Sequence, residues 1–327
     1  MTRKRTALTL LCVFLALVLV LLILGAFYLE RFLGLISREE GPVLSPSALE
    51  ELLPEFGTED LSVPAAEPIP EGEEVINILL IGQDRRGNAG RSLSDAMILC
   101  TLDRETGVLT MTSFLRDCYV RIPGYGNNKL NAAYPIGGMQ LLDDTLRENF
   151  GVTVDGNVEV DFAGFEKIID LLGGVEISLT DAEARHLAHE YGFVLHEGVN
   201  RLNGAEALGY ARIRRLGTDF ARTDRQRTLL TALIEQFRHA GPGKLYRASK
   251  ELLGLITTDM SNSRILGYAL DLAPLLKDLE IRSQRIPAEG TYRFGDAGKV
   301  TSCIFLDFEA NRAILRDTVL GARKTGS

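Results

Sequence analysis

Residues 7–28 read ALTLLCVFLALVLVLLILGAFY, an apolar run without a single charge. About 20 such residues make a helix long enough to cross the hydrocarbon core of a bilayer. Arg3, Lys4 and Arg5 precede the run, and basic residues on that flank favour keeping it on the cytoplasmic side. A cleavable leader would have an apolar region of about 7–15 residues followed by a small-residue cleavage site. This run is longer, and Tyr28-Leu29-Glu30-Arg31-Phe32 offers no such site. The expectation is a cytoplasmic tail over 1–6, a retained transmembrane signal anchor over 7–28, and everything after it on the extracytoplasmic side of the cell membrane.

The chain beyond the anchor must fold against water. Hydrophobic residues make up 46% of the chain and charged residues 24%, enough apolar content for a real core. Residues 29–72 are rich in proline and acidic residues with little periodicity, so they read as a flexible extracytoplasmic tether, with one short amphipathic helix around Pro46–Leu53. Beyond them, short β-branched runs alternate with helical patterns. Strands are expected at Val75–Ile81, Ala96–Leu102, Val108–Ser113 (after a turn at Thr106-Gly107), in CYVRIPG, at Val158–Val160, in VEISLT and near residue 302. Between CYVRIPG and the first helix, YGNNKLNAAYPIGG reads as a loop. Helices are expected at Met139–Phe150, Phe162–Leu172 (closed by Gly173-Gly174), Thr223–His239, roughly 243–256, 261–277 and up to 321. LNGAEALGYARIR reads as a helical turn running into a strand. The fold class is α/β, a mixed central β-sheet flanked by helices. No repeat divides the chain, so 73–321 reads as one domain with its motifs in 75–240, a C-terminal completion over 241–321 and a tail over 322–327.

Four cysteines (Cys12, Cys100, Cys118, Cys303) and four histidines are present. None has metal-ligand spacing; His186 and His189 are three apart with no third ligand nearby. Cys100 and Cys118 would lie in a compartment that permits a disulfide, and connectivity cannot be read from sequence.

The formal net charge is −8, which argues against a general nucleic-acid binder. Against that background YARIRRLGTDFARTDRQR, residues 210–227, holds six arginines, two aspartates and no lysine. Guanidinium groups present a flat fork of donors that matches carboxylate or phosphate oxygens. Arg212 and Arg214 are two apart, so on a strand they project from one face. Ile213 would then point into the core. Arg222, Arg225 and Gln226 share a face at the start of a helix, where free N–H groups and the dipole welcome an anion and basic side chains are locally unfavourable. Arg215 and Arg227 fall off those faces and read as solvated. Arg116 follows the third strand. Asp84 and Asp95 stand at the ends of two strands that, paired antiparallel, would bring both carboxylates to one sheet edge. Two hard oxygen ligands beside phosphates suit Mg²⁺. Plainer readings exist: the two aspartates cap turns, Thr223 and Gln226 form a capping box, and Asp219 or Asp224 neutralises surface arginines.

NILLIGQD, SDAMIL, SFLRDCYVRIPG, KLNAAYPIGG, FEKIIDLLGGVEI, LNGAEALGYARIRR and DFARTDRQR occur in that order. In this series the chain resembles the LytR-CpsA-Psr family over roughly 75–240. The resemblance implies a membrane-anchored phosphotransferase that moves a glycopolymer, such as a wall teichoic acid or capsular polysaccharide, from an undecaprenyl-pyrophosphate carrier to peptidoglycan through a phosphodiester. It implies that arginines and Mg²⁺ hold the pyrophosphate and that the prenyl chain lies in an apolar tunnel. Carried over by motif, Asp84 and Asp95 are the metal-site carboxylates. Arg116, Arg212, Arg214, Arg222, Arg225 and Gln226 are the pyrophosphate set, with Arg85 on the rim. Asp219 is an accessory acid that orients an arginine or activates the acceptor hydroxyl. SFLRD departs from the family's frequent S-I-P-R-D but keeps the arginine. Two other activities remain open on sequence alone: a hydrolase acting on the same lipid pyrophosphate, and a non-catalytic binder or regulator of anionic wall polymers or lipids.

Overall fold

Alternation of side chains along the apolar run at 75–83 decides how the sheet is covered. In a computed structural model, which describes residues 30–39, 65–69, 74–83, 93–239 and 253–321 with scattered positions between them, β1 is Ser37–Arg38 and β2 is Val75–Gln83. The anchor run 7–28, most of the 46–53 segment, Asp84 and Arg85 lie outside the described residues. Among the described residues no helix is long and apolar enough to cross a membrane.

β2, β3 (Ser94–Asp103) and β4 (Val108–Phe114) form an antiparallel meander. Its β3–β4 turn closes at Gly107, whose φ of 69° suits glycine, as the Thr106-Gly107 pair predicts. β5 (Tyr119–Ile122) and β6 (Gly126–Lys129) form a small hairpin. The chain then enters α1, Ala133–Phe150, broken by non-helical angles at Gly137 and Gly138. The helix expected from Met139 is thus the second half of a kinked one, and the preceding loop is partly strand and helix. β7 (Gly156–Asp161) leads into α2 (Phe162–Leu171), whose N-cap Asp161 accepts from Gly164 N.

Next come β8 (Val175–Leu179), α3 (Asp181–Tyr191), β9 (Gly198–Leu202) and α4 (Gly204–Ala211). Sequence reading misses α3, although Thr180 and Glu183 form a full capping box at its start. α5 is Asp219–Arg238, β10 is Ile256–Thr258 and α6 is Asn262–Leu272. β11 (Glu280–Ile286), the hairpin β12 (Tyr292–Ala297) and β13 (Val300–Leu306), and α7 (Phe308–Gly321) end the description. The main sheet has the order β1-β10-β7-β2-β3-β4-β11 and mixes parallel with antiparallel pairs, the α/β class read from sequence. Parts of segment 29–72 are docked on the domain: β1 pairs with β10 in the sheet, and Ala66 N and Ile69 N donate to the Glu148 and Gly151 carbonyls at the end of α1.

Leu79, Ile81, Met97, Leu99 and Phe114 pack with Met139, Leu142, Leu146 and Phe150 of α1 and Leu315 and Val319 of α7 in the main core. Fully burying such a side chain contributes about 1.5–3 kcal/mol. Their neighbours on the other sheet face, Ile78, Leu80, Cys100 and Leu109, stay half-buried. On that side α5 packs against β4 and β11. Its Leu230, Leu233, Ile234 and Phe237 are also half-buried, with Leu233 and Phe237 packed against Ile168 of α2 and its C-cap Leu172. Cys100, Cys118 and Cys303 are free thiols. The Cys100–Cys118 disulfide is therefore not formed; Cys118 is enclosed in the main core, while Cys100 lies on the opposite face of the sheet from Leu99.

Candidate active site

Asp95 owes its position to a register shift. Gly82 pairs with Ala96 but Gln83 with Ser94, so β3 carries one extra residue there. Such a bulge re-aims the extra side chain, and the Asp95 carboxylate is left about one-quarter exposed at the sheet edge. Asp84 and Arg85 continue from Gln83 into residues that are not described.

Arg116 follows the end of β4. Its backbone carbonyl accepts from Asn131 N at 3.1 Å, which pins this loop to the segment after β6. Arg116 Nη1 donates to Asp95 Oδ1 at 2.6 Å. Its Nε lies 3.4 Å from Asp117 Oδ2 and 3.5 Å from Asp219 Oδ2. Burial would lower the Arg116 pKa, yet Asp117, Asp219 and Asp95 together hold it above the ordinary guanidinium value. Lys129 Nζ sits 2.9 Å from Asp117 Oδ1. Asp219 Oδ2 accepts from Arg222 Nη2 at 2.8 Å. Arg214 Nη2 lies 3.8 Å from Asp95 Oδ1, and Arg212 stacks on the Phe162 ring at 4.1 Å.

A cavity of about 320 Å³ opens between Asp95, Arg212, Arg214, Arg222 and Gln226, with Phe162 and Tyr191 on its wall. Arg222 is only 3% exposed. Its Nε, the Arg116 Nε and the Gln226 Oε1 are buried without a hydrogen-bond partner. Burial pulls the Arg222 pKa below its ordinary value; Asp219 opposes this, and Arg116 and Arg214 add to it. Buried polar groups are normally satisfied. Guanidinium groups that crowd one another with donors to spare make a site for an anion rich in oxygen acceptors. Asp95 adds a hard carboxylate at the rim, a donor type that suits a hard divalent cation shared with phosphate oxygens. Among the described residues no group of three or more His, Cys, Asp or Glu is arranged to hold a metal ion.

The cluster corrects several expectations. Arg212 and Arg214 are not on a strand. α4 continues through Ala211 with Arg212 as its C-cap, and both arginines reach the cavity from the loop after that helix. GAEALGYA is good helix-forming sequence, and the Asn203–Glu206 capping box starts it firmly. Ile213 is buried, as expected. Helix α5 begins at Asp219, four residues before the expected Thr223, so Thr223 and Gln226 form no capping box. The Thr223 hydroxyl instead donates to Phe220 O at 2.8 Å.

Arg225 does not face the cavity. Its Nε donates to Glu183 Oε1 at 2.7 Å, and its Nη1 and Nη2 donate to the Ile213 and Leu216 carbonyls. It clamps the loop that carries Arg212 and Arg214. Arg215 is exposed, as expected, but Arg227 is 7% exposed and paired with Asp224, so it is not solvated. Sequence reasoning also passed over Asp117, Lys129, Phe162 and Tyr191. Asp117 adjoins Arg116 and Lys129 opens the quoted KLNAAY; the two aromatics carry no polar signal in sequence.

The LytR_cpsA_psr family model matches residues 56–303. The regulatory protein MsrR of Staphylococcus aureus is 32% identical over 246 residues, 74% of this chain and 73% of its own length. The polyisoprenyl-teichoic acid–peptidoglycan teichoic acid transferase TagT of Bacillus subtilis is 30% identical over 226 residues, 67% of this chain and 69% of its own. Among solved structures, the LytR-CPS2A-psr family protein YwtF (TagT) with bound octaprenyl pyrophosphate lipid superposes with a TM-score of 0.60. The match has 24% identity over 83% of this chain and 99% of that one.

Proposed function

The chain belongs to the LytR-CpsA-Psr family, and from that premise we propose that it is a phosphotransferase anchored in the cell membrane, with its N-terminus cytoplasmic and its catalytic domain extracytoplasmic. It moves a glycopolymer from an undecaprenyl-pyrophosphate carrier to peptidoglycan and leaves the polymer held by a phosphodiester bond. The observation that carries this reading is buried Arg222, with an unspent Nε donor, beside Arg116 and the arginine-lined cavity. A diphosphate supplies an acceptor for that unspent donor and negative charge for the guanidinium groups that line the cavity. The relative TagT is named for this class of transfer.

Arg116, Arg212, Arg214, Arg222 and Gln226 hold the pyrophosphate. The half-buried apolar side chains between α5 and the sheet take the prenyl chain. Gly82 and Ala96 stand at the end of that path nearest Asp95; a Cβ on Gly82 would come within 3.1 Å of the Ala96 Cβ. A peptidoglycan sugar hydroxyl attacks the phosphorus that bears the glycopolymer. A new P–O bond forms, the bond to the bridging oxygen breaks, and prenyl phosphate leaves with the electron pair and the proton. Positioning and charge stabilisation do most of the work in such a transfer, and the arginines are placed for both. Asp219 orients Arg222 and Arg116. Asp84 and Asp95 are the residues that would hold Mg²⁺, which when bound supplies further positive charge at the pyrophosphate.

The test is to incubate the chain with a prenyl-pyrophosphate oligosaccharide, Mg²⁺ and peptidoglycan fragments. Ligated product is expected. Phosphorylated sugar released without ligation would make the chain a hydrolase. Tight lipid binding with neither product would make it a binding module.

A further inference from the structure

Three aromatic rings stand together at the edge of the arginine cluster. Phe220, next to Asp219 on the first turn of α5, lies 4.8 Å from Tyr292 and 6.4 Å from Phe294, centroid to centroid. Tyr292 and Phe294 meet edge to face at 5.5 Å. They are two apart on β12 and so share one face of the hairpin. That hairpin is fastened to the site. Phe294 pairs with Ile304 on β13, and Ile304 N donates to Asp117 O at 2.9 Å, one residue from Arg116. The platform therefore touches the chain beside Asp219 and beside Arg116.

Phe220 is buried, but Phe294 is 63% exposed. A phenyl ring that leaves most of its surface in water gains little from folding, so the face of Phe294 is open to a ligand beside the charged cluster. Arg285 lies over Phe220 at 4.7 Å and adds a polar rim. Aromatic faces bordered by charged hydrogen-bonding groups suit a sugar ring, whose C–H face packs on the aromatic while its hydroxyls meet the rim. Asp219, next to Phe220, accepts from Arg222 and lies 3.5 Å from Arg116, so the platform borders the arginine cluster itself.

We propose that Phe220, Tyr292 and Phe294 form the docking platform for the acceptor glycan, with Phe294 as its exposed contact. The proposal rests on the transferase reading and adds where the acceptor binds. The experiment uses the full chain in detergent, octaprenyl-pyrophosphate oligosaccharide as donor, and a soluble peptidoglycan fragment of alternating N-acetylglucosamine and N-acetylmuramic acid as acceptor. Phe294→Ala should raise the acceptor KM roughly tenfold. The kcat at saturating acceptor and the affinity for octaprenyl pyrophosphate should stay unchanged, and Phe294→Tyr should restore the acceptor KM. An unaltered acceptor KM in Phe294→Ala overturns the proposal, as does an equal loss of donor affinity. Should the wild-type chain transfer nothing, calorimetric titration of the acceptor fragment alone decides. Binding that Phe294→Ala abolishes upholds the platform while the transferase reading falls. No binding, or binding indifferent to the substitution, removes the platform as well.

Discussion

Arg225 Nε donates to Glu183 Oε1 at 2.7 Å, and both side chains are about nine-tenths buried. The sequence groups Arg225 with the anion-binding arginines; the fold uses it to hold the Ile213–Leu216 loop from which its neighbours reach. Breaking a buried ion pair from one side leaves an uncompensated charge and costs about 3–5 kcal/mol. Arg225→Met should lower the urea midpoint by a corresponding amount. Arg225→Lys should rescue little, because a single ammonium does not reproduce three fork-directed hydrogen bonds. Stability equal to wild type in Arg225→Met would remove the clamp.

The same pair sets an acid limit. Burial alone would raise the Glu183 pKa, but hydrogen bonds from Thr180 and Arg225 outweigh it and hold the carboxyl below its ordinary value. A depressed pKa contributes stability that is fully present above the unfolded value, about 4.3, and is lost as pH falls through the folded one. The stability gap between wild type and Glu183→Gln should therefore narrow as the medium is acidified below about pH 4. A gap that widens there contradicts the assignment.

Asp143 on α1 runs the other way. Burial pushes its carboxyl up to about 8; the hydrogen bond from Asn157 opposes this and Asp259 adds to it. The stability tied to its protonated form is fully present below the unfolded value of about 3.9 and is lost as pH rises through about 8. Asp143→Asn keeps an acceptor for Asn157 Nδ2, which donates to Asp143 Oδ2 at 2.8 Å. Thermal melts should show a larger gain for Asp143→Asn at pH 9 than at pH 5, and an equal gain at both would refute the shift.

The path proposed for the prenyl chain makes a separable prediction. Ala96 lies near Asp95 on the α5 side of the sheet and opposite Gly82, and Ala96→Phe would crowd that path without removing an arginine. Affinity for octaprenyl pyrophosphate should fall at least tenfold by calorimetry, the effect of losing about 1.4 kcal/mol of apolar contact. Affinity for inorganic pyrophosphate should hold. Equal loss of both ligands would place the prenyl chain elsewhere.

Strands were legible where apolar alternation was strong, as in β2, β3 and β4. Their antiparallel pairing, on which the Asp95 reading depended, is what the sheet contains. Arg116, Arg212, Arg214, Arg222 and Gln226 do gather around one cavity or its edge. Local geometry was less legible. Arg212-Ile213-Arg214 has the alternation of a strand, yet it comes directly after a well-capped helix, and that helix sets the path. Arg225 could not be told from Arg222 because its partner, Glu183, is 42 residues away. Lys129 and Phe162 join the site only through tertiary contacts, and β11 and β12 lack a clear apolar run.

The central claim is that the arginine cradle binds and activates a prenyl pyrophosphate, and Arg214 tests it most directly. Its side chain is 58% exposed, so its removal disturbs little packing. Loss of one electrostatic donor in such a site lowers kcat by about a hundredfold or more. The measurement is kcat for transfer from a prenyl-pyrophosphate oligosaccharide to peptidoglycan fragments by Arg214→Ala, with thermal melts beside it. A kcat reduced to this extent at an unchanged Tm is the predicted result. Wild-type turnover by Arg214→Ala would contradict the account.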